Sequence, residues 1–322
     1  LDEIDRQLLD EMQASFPLER RPWDTLGEIV GIPGREVLAR VRALKSMGII
    51  RQISPIFDTR ALGYRSSLVA AAVEPGRLED AASVVNEHPG VSHNYEREHR
   101  FNLWFTIAVP PGRSLEEEVA RLAGEAGIRE YRLLPTIRMF KIGVQLKMSS
   151  GSVRKARGRK RKQSPPLTDR DKMFVRVLQD DIPLIEEPFG DAAVRLGVGQ
   201  EEVLSWLRLA QENGWMRRFA AVLRHRKAGF VANGMVCWRV PEDRIEQIGA
   251  AAAAFPEVSH CYQRPTYPDW PYNLFTMIHG KSKAECEEIA RRISAATGAR
   301  DYTILYSVRE FKKERIRYFE CE

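Results

Sequence analysis

The sequence predicts an α+β fold made of two repeats, each a winged helix-turn-helix followed by a ferredoxin-like βαββαβ segment. Three observations carry this prediction. One set of residues recurs at constant spacing in the two halves, the first third of each half has helical periodicity, and the rest alternates like strands.

The recurrence is extensive. Asp5, Pro17, Pro22, Gly31, Gly48 and Gly63 return as Asp171, Pro183, Pro188, Gly197, Gly214 and Gly229. Pro75 returns as Pro241, and Pro89-Gly90-Val91-Ser92-His93-Asn94-Tyr95-Glu96-Arg97 as Pro256-Glu257-Val258-Ser259-His260-Cys261-Tyr262-Gln263-Arg264. Phe101-Asn102-Leu103-Trp104 matches Tyr272-Asn273-Leu274-Phe275, and Arg138-x-Phe140-Lys141 matches Arg309-x-Phe311-Lys312. The second half inserts residues around Tyr267-Pro268-Asp269-Trp270-Pro271.

The elements follow in order. Ile4, Leu8, Leu9 and Met12 lie at helical spacing. Asp24 can cap a second helix ending near Val30, with Gly31 at its C-terminal turn. Pro33 opens a third helix that carries Val37, Leu38, Val41 and Leu44 on one face and closes at Gly48. Residues 49–57 form the wing. Beyond it, 67–73 reads as a strand, 78–86 as an amphipathic helix, and 91–96 and 101–109 as strands. Residues 115–127 read as a helix and 129–139 as an extended segment. The expected divisions are a winged helix at 1–50, a ferredoxin-like domain at 51–148, a linker at 149–167, a second winged helix at 168–216 and a second ferredoxin-like domain at 217–322.

The net charge of +6 and pI near 9.2 invite a nucleic-acid reading. Its location weakens that reading. Seven of the nine residues from Arg154 to Lys162 are basic, inside a Ser- and Pro-rich stretch typical of a tether, and without them the charge falls to −1. No apolar run approaches bilayer length, and the acidic start Leu1-Asp2-Glu3-Ile4-Asp5 is unlike a secretory signal, so a cytoplasmic protein without a membrane partner is expected. Cys237, Cys261, Cys286 and Cys321 form no C-x-x-C, which disfavours zinc and disulfides and predicts buried thiols. G-x-S-x-G, P-loop and H-E-x-x-H patterns are absent.

A winged helix joined to a ferredoxin-like domain resembles the Lrp/AsnC transcription regulators, through Arg40-Val41-Arg42-Ala43-Leu44 and Gly48-Ile49-Ile50. A narrower resemblance covers more residues. The string from His93 to Phe105 is similar to the D-type subunit of the siroheme decarboxylase family. Arg217-Arg218-Phe219, Leu223 to Phe230, Ala232-Asn233-Gly234-Met235, Trp238 and Pro271 to His279 are similar to the L-type subunit. The resemblance implies a natural fusion of the two subunit types. It also implies removal of two acetate carboxyls from siroheme, giving didecarboxysiroheme, in the making of haem d1 or in alternative haem synthesis.

That chemistry asks for cations to clamp carboxylates and a flat apolar slot. The candidates to bind substrate are Tyr95, Arg97, Arg100, Arg217, Arg218, Trp238, Tyr262, Arg264, Tyr272, Arg309 and Lys312. Losing carbon dioxide leaves carbanion character that the tetrapyrrole absorbs until a donor protonates it, and an imidazole suits the task. The candidate donors are His93, His99, His225 and His260. His279 lies in a matching string, although Ala108 stands at its counterpart. An imidazole in a strand is otherwise a packing residue, and axial ligation of the substrate iron is another task for any of them. Strand alternation places His93, Tyr95 and Arg97 on one face, and His260, Tyr262 and Arg264 on the equivalent one.

No cofactor and no resident metal are expected, because the iron enters with the siroheme. The two repeats are expected to pair within one chain, homodimers being a further option. The substrate is expected in the cleft between sheet and wing. The two pockets are expected to differ, because the second repeat departs from the first at 267–271, at His225 (Thr59 in the first) and at His279. A DNA-binding regulator is the rival, disfavoured because the second recognition helix, 199–213, has one basic residue against three acidic ones. A noncatalytic tetrapyrrole carrier shares every pocket feature and differs only in turnover.

Overall fold

Asp2 and Asp5 form a reciprocal capping box that starts α1 (Glu3–Ala14), and Leu8, Leu9 and Met12 are wholly buried. In α2 (Pro22–Val30) proline occupies the first turn and Arg21 is the cap. Asp24, expected as the cap, instead lies inside the first turn and accepts from Arg21 Nε at 2.8 Å. Gly31 closes α2 at φ +79°, a conformation that suits glycine. Then α3 (Gly34–Ser46) buries Val37, Leu38, Val41 and Leu44, and β1 (Ile50–Phe57) follows.

This computed structural model describes residues 1–142, 164–223 and 232–320. The remainder of the first repeat is β2 (Arg65–Ala72), α4 (Leu78–Glu87), β3 (Val91–Arg97), β4 (Leu103–Val109), α5 (Leu115–Glu125), β5 (Glu130–Pro135) and β6 (Arg138–Ile142). The second repeat supplies α6 (Asp169–Leu178), α7 (Gly190–Leu196), α8 (Gln200–Glu212), β7 (Met216–Leu223), β8 (Ala232–Trp238), α9 (Ile245–Ala254), β9 (Val258–Gln263), β10 (Leu274–Gly280), α10 (Lys283–Thr297) and β11 (Tyr302–Lys313). The basic run 154–162 lies outside the described residues.

The chain forms two compact units, and they do not follow the repeats. The winged-helix unit takes 1–63, 164–223 and 317–320 from both halves, and the sheet unit takes 64–142 and 232–316. The wing strands β1 and β7 pair antiparallel with each other. They therefore belong with the helices, whereas the expected boundaries at 50/51 and 216/217 place them with the sheets.

Reciprocal contacts tie the winged-helix unit together. Phe16 N donates to Phe219 O at 2.8 Å, and the equivalent Ile182 N donates to Ile53 O at 3.0 Å. Arg42 donates to Leu184 O at 2.7 Å, and its equivalent Arg208 donates to Leu18 O at 2.9 Å.

In the sheet unit each repeat builds the ferredoxin-like strand order, β5-β2-β4-β3 and β11-β8-β10-β9. The ends of the repeats then exchange. The extended segment expected over 129–139 breaks after Pro135, which has no N–H, and β6 pairs with β9 of the second repeat. Tyr306 stands where Pro135 stands in the first repeat, and β11 continues unbroken from β8 to β3.

The doubled Arg-x-Phe-Lys motif locks both exchanges. Arg138 pairs with Glu246 at 3.0 Å, as Arg309 does with Glu79. Phe140 packs into the second repeat's helix-side core and Phe311 into the first's. Lys141 Nζ donates to Phe255 O at 2.8 Å and Lys312 Nζ to Asn86 O at 2.6 Å, each meeting carbonyls at a helix C-terminus. A third core joins the opposite sheet faces through Phe101, Trp104 and Leu134 of one repeat and Met235, Trp270, Phe275 and Leu305 of the other.

A methyl added at Gly249 of α9 would run into the Phe140 ring. Gly249→Ala is therefore expected to lower the melting temperature, although alanine gains about 1 kcal/mol of helix propensity. A rise on thermal unfolding would remove Phe140 from its place as a lock.

Candidate active site

Both central histidines stand beside a β-bulge. Val91 pairs with Ile107 and His93 with Thr106, which leaves Ser92 as the extra residue. Val258 pairs with Ile278 and His260 with Met277, which leaves Ser259. A bulge interrupts strand alternation and re-aims side chains. Ser92 Oγ thus lies 2.9 Å from His93 Nδ1, and Ser259 Oγ 2.9 Å from His260 Nδ1. His93 stacks on Tyr95 with ring centroids 6.2 Å apart, and His260 lies 6.0 Å from Tyr262. Between His93 and Tyr95, Asn94 turns the other way and donates to Ala82 O of α4 at 3.3 Å. The two aromatic rings therefore occupy the sheet face away from the helices, as alternation predicts.

Arg97 shares that face but is 6% exposed. Its Nη1 donates to Leu305 O at 2.8 Å, and the guanidinium lies 5.7 Å from the Tyr95 ring. Burial drags its pKa down to about 10. No carboxylate among the described residues forms an ion pair with it. Half-buried Arg264 makes the corresponding contacts, donating to Leu134 O and lying 5.1 Å from the Tyr262 ring.

The repeats differ at two places. First, His279 on β10 brings Nε2 to 2.7 Å from Ser259 Oγ, whereas buried Ala108 stands at the counterpart position. Second, the inserted turn drives Trp270 against the first repeat. Tyr267 and Trp270 exchange backbone hydrogen bonds of 2.8 and 3.0 Å, and Asp269 accepts from Arg132 at 2.7 and 2.9 Å and from Arg100 at 3.0 Å. The Trp270 indole, 1% exposed, lies 5.3 Å from Trp104, 6.0 Å from Phe101 and 5.4 Å from His99.

His99 is thereby engaged. Its Nδ1 accepts from Phe101 N at 3.0 Å, and burial, with Arg100 beside it, lowers its pKa from the ordinary 6.5. Tyr272 stacks edge-on against Trp270 at 5.1 Å, and burial raises its hydroxyl.

Several expected substrate contacts lie elsewhere. Trp238 is wholly buried on the helix side, donating to Thr276 Oγ1 at 2.9 Å, because alternation along β8 turns it inward. Arg309 and Lys312 belong to the exchange lock, and Arg100 pairs with Glu130 as well as Asp269. Arg217 and Arg218 stand on β7 in the winged-helix unit. Arg217 pairs with Asp58 at 3.1 Å, and burial, with Arg217 beside it, lowers the Arg218 pKa. His225 lies outside the described residues. Ser92, Ser259 and Trp270 were not among the expected site residues. The repeated Val-Ser-His could have pointed to the serines, since a bulge needs an extra residue at the same place twice.

Cys237, Cys261 and Cys286 are buried free thiols, with burial pushing Cys261 up to about 12, while Cys321 lies outside the described residues. Among the described residues, no cluster of three or more His, Cys, Asp or Glu side chains is placed to hold a metal, and no helix is long and apolar enough to cross a membrane.

A doubled winged helix with a doubled ferredoxin-like sheet defines an AsnC-type ligand-binding architecture. Residues 61–141 and 227–312 match the AsnC-like ligand binding domain, and 5–51 and 171–217 match the siroheme decarboxylase NirDL-like HTH domain. The chain is 45% identical, over 100% of its length and 96% of the relative's, to a siroheme decarboxylase of Hydrogenobacter thermophilus. It is 34% identical to a siroheme decarboxylase NirDL subunit of Paracoccus pantotrophus, over 97% of this chain and 96% of that one. A siroheme decarboxylase beta subunit of Methanosarcina barkeri is 50% identical over 46% of this chain and 97% of its own. A crystal structure of siroheme decarboxylase NirDL superposes with TM-score 0.81 at 41% identity, covering 99% of this chain and 95% of that one. Another, in complex with an iron-uroporphyrin III analogue, gives 0.80 at 40% with the same coverage. The chain belongs to the siroheme decarboxylase family.

The lowered His99 pKa predicts an acid sensitivity. The unfolded chain takes up a proton near 6.5 while folded His99 stays neutral, so stability is full above that value and is lost as pH falls below it. His99→Asn keeps an acceptor for Phe101 N without titrating near neutrality. Its melting temperature should fall less than the wild type's between about pH 7.5 and about pH 5.5. Parallel curves would contradict the assignment.

Proposed function

We propose that this chain is a carboxy-lyase that removes two acetate carboxyls from siroheme without oxidation, giving didecarboxysiroheme. The observation that carries the reading is the full-length kinship with siroheme decarboxylases, together with a half-buried, bulge-held histidine and tyrosine on the sheet face away from the helices in each repeat. No cofactor is needed, since the siroheme iron arrives with the substrate and the macrocycle is its own electron sink.

In this reading His260 delivers the proton to the nascent methyl carbon, with His93 the equivalent donor in the first repeat. Their Nδ1 atoms face serine hydroxyls, and Nε2 is the nitrogen proposed to meet the substrate. Tyr95 and Tyr262 flank them as flat aromatic walls. Arg97 is proposed to hold a carboxylate, because a buried guanidinium without a carboxylate partner gains most from an anionic ligand. Arg264, its sequence equivalent, lies over Tyr262 and is proposed to face the same ligand. His99, lodged between Phe101 and Trp270, is better explained as packing than as a donor. We further propose that the exchanged pair of repeats is the working enzyme, in the cytoplasm, and that a homodimer is not required for it.

The DNA-regulator reading loses support from α3. Arg40 is held by Asp2, Asp5 and Glu36, Arg42 by Leu184 O, and Lys45 by Asp181. These cations are engaged inside the protein, where phosphates would have to displace their partners.

Anaerobic incubation with siroheme, followed by mass analysis, is expected to show loss of two carboxyls as carbon dioxide. His260→Ala should retain the fold and lower the rate by about 100-fold or more. Tight binding without a mass change would favour a carrier. Absence of binding, with specific retention of a DNA duplex, would restore the regulator.

A further inference from the structure

Resting on the decarboxylase reading, we propose that Ser259 and His279 form a proton relay to His260, and that only the second repeat has it. Ser259 Oγ lies 2.9 Å from His260 Nδ1 and 2.7 Å from His279 Nε2. Its remaining contact, Met277 O at 3.4 Å, is at the limit of a hydrogen bond. A serine hydroxyl has one hydrogen to give and lone pairs to receive. Between two imidazoles it is therefore directional, with one ring donating into Oγ and the other accepting from it. With His279 Nε2–H donating and His260 Nδ1 accepting, His260 carries its own proton on Nε2, the nitrogen assigned to the proton transfer.

The first repeat has the same bulge and the same Ser92–His93 couple, but Ala108 occupies the place of His279. Packing alone does not require a second imidazole there, since burying one costs free energy unless it is hydrogen-bonded. The serine supplies that bond, and the bulge that frees the serine also aligns the chain.

The protons balance. Loss of carbon dioxide leaves its bonding electron pair on the acetate carbon, and that carbon takes the Nε2 proton of His260. The Ser259 hydroxyl proton moves to His260 Nδ1, and the Nε2 proton of the His279 imidazolium moves to Ser259 Oγ. Both rings end neutral with a proton on Nδ1, the positive charge of His279 having cancelled the carbanion. Exchange with solvent restores the starting tautomers before the second carboxyl leaves. Ser259 and His279 are thus positioning and relay residues, and of the three only His260 meets the substrate.

The test uses the full chain, anaerobic siroheme, and kcat and KM measured separately. Ser259→Ala and His279→Ala should each lower kcat by about tenfold or more and change KM by less than about twofold. The double variant should be no slower than the slower single, because the residues serve one chain. Ser259→Thr, which keeps the hydroxyl, should recover most of the rate. The wild-type solvent deuterium effect should need more than one proton in flight, and Ser259→Ala should reduce it to one. If His279→Ala fails to fold, His279→Gln, which donates but relays no proton, should show the same loss. Unchanged kcat in the His279 variants, or losses that multiply in the double, would overturn the relay. A wild type that leaves the mass of siroheme unchanged would overturn the decarboxylase reading and the relay with it, whereas an active wild type with active variants overturns the relay alone.

Discussion

Neither sheet is complete without the other repeat's last strand. β6 leaves the first repeat to cover β9, and β11 runs past its own sheet to cover β3. An edge strand otherwise presents a row of unpaired N–H and C=O groups that invites aggregation. The exchange covers β3 and β9, leaving the short β6 as a terminal strand, and it carries a phenylalanine into each opposite core and a lysine to each opposite helix end. Because His93 and His260 lie on β3 and β9, the strands that receive the exchange, anything that loosens it also moves the candidate proton donors.

This constraint changes how the internal repeat should be read. Identity between two halves of a chain is expected wherever both halves make the same contact with each other. Arg138 and Arg309, Lys141 and Lys312, and Arg42 and Arg208 all do so. A doubled cation is therefore weak evidence for a ligand. The departures are more informative, because an interface with approximate twofold symmetry gives no reason for them. Trp270 and His279 are such departures.

The sequence made the local structure legible. Leu8, Leu9 and Met12 fell on the buried side of α1, and Val37, Leu38, Val41 and Leu44 on that of α3, because a helical period is written in consecutive residues. Alternation also placed His93 and Tyr95 on one face. It could not reveal the bulges at Ser92 and Ser259, which exist only relative to the partner strands. Nor could it show that Arg309 and Lys312 would be engaged by Glu79 and Asn86, more than two hundred residues away in the chain. Trp238 was misread for a related reason. Its aromatic character fits a flat ligand, but its position in β8 turns it into the helix-side core, where Thr276 already holds its indole nitrogen.

The two asymmetries act in the same direction. On the first repeat, Trp270 packs beside His99 and Trp104, and Asp269 engages Arg132 as well as Arg100, so the one of these arginines expected to meet a tetrapyrrole, Arg100, is already paired within the protein. On the second repeat, His279 adds a polar group where the first has only Ala108. One change closes and the other equips, and both arise from residues of the second repeat. The tryptophan wedge adds apolar burial that stabilises the sheet pairing, while on the second repeat Ser259 joins His260 and His279, so the two faces differ in polarity although their strands and bulges correspond.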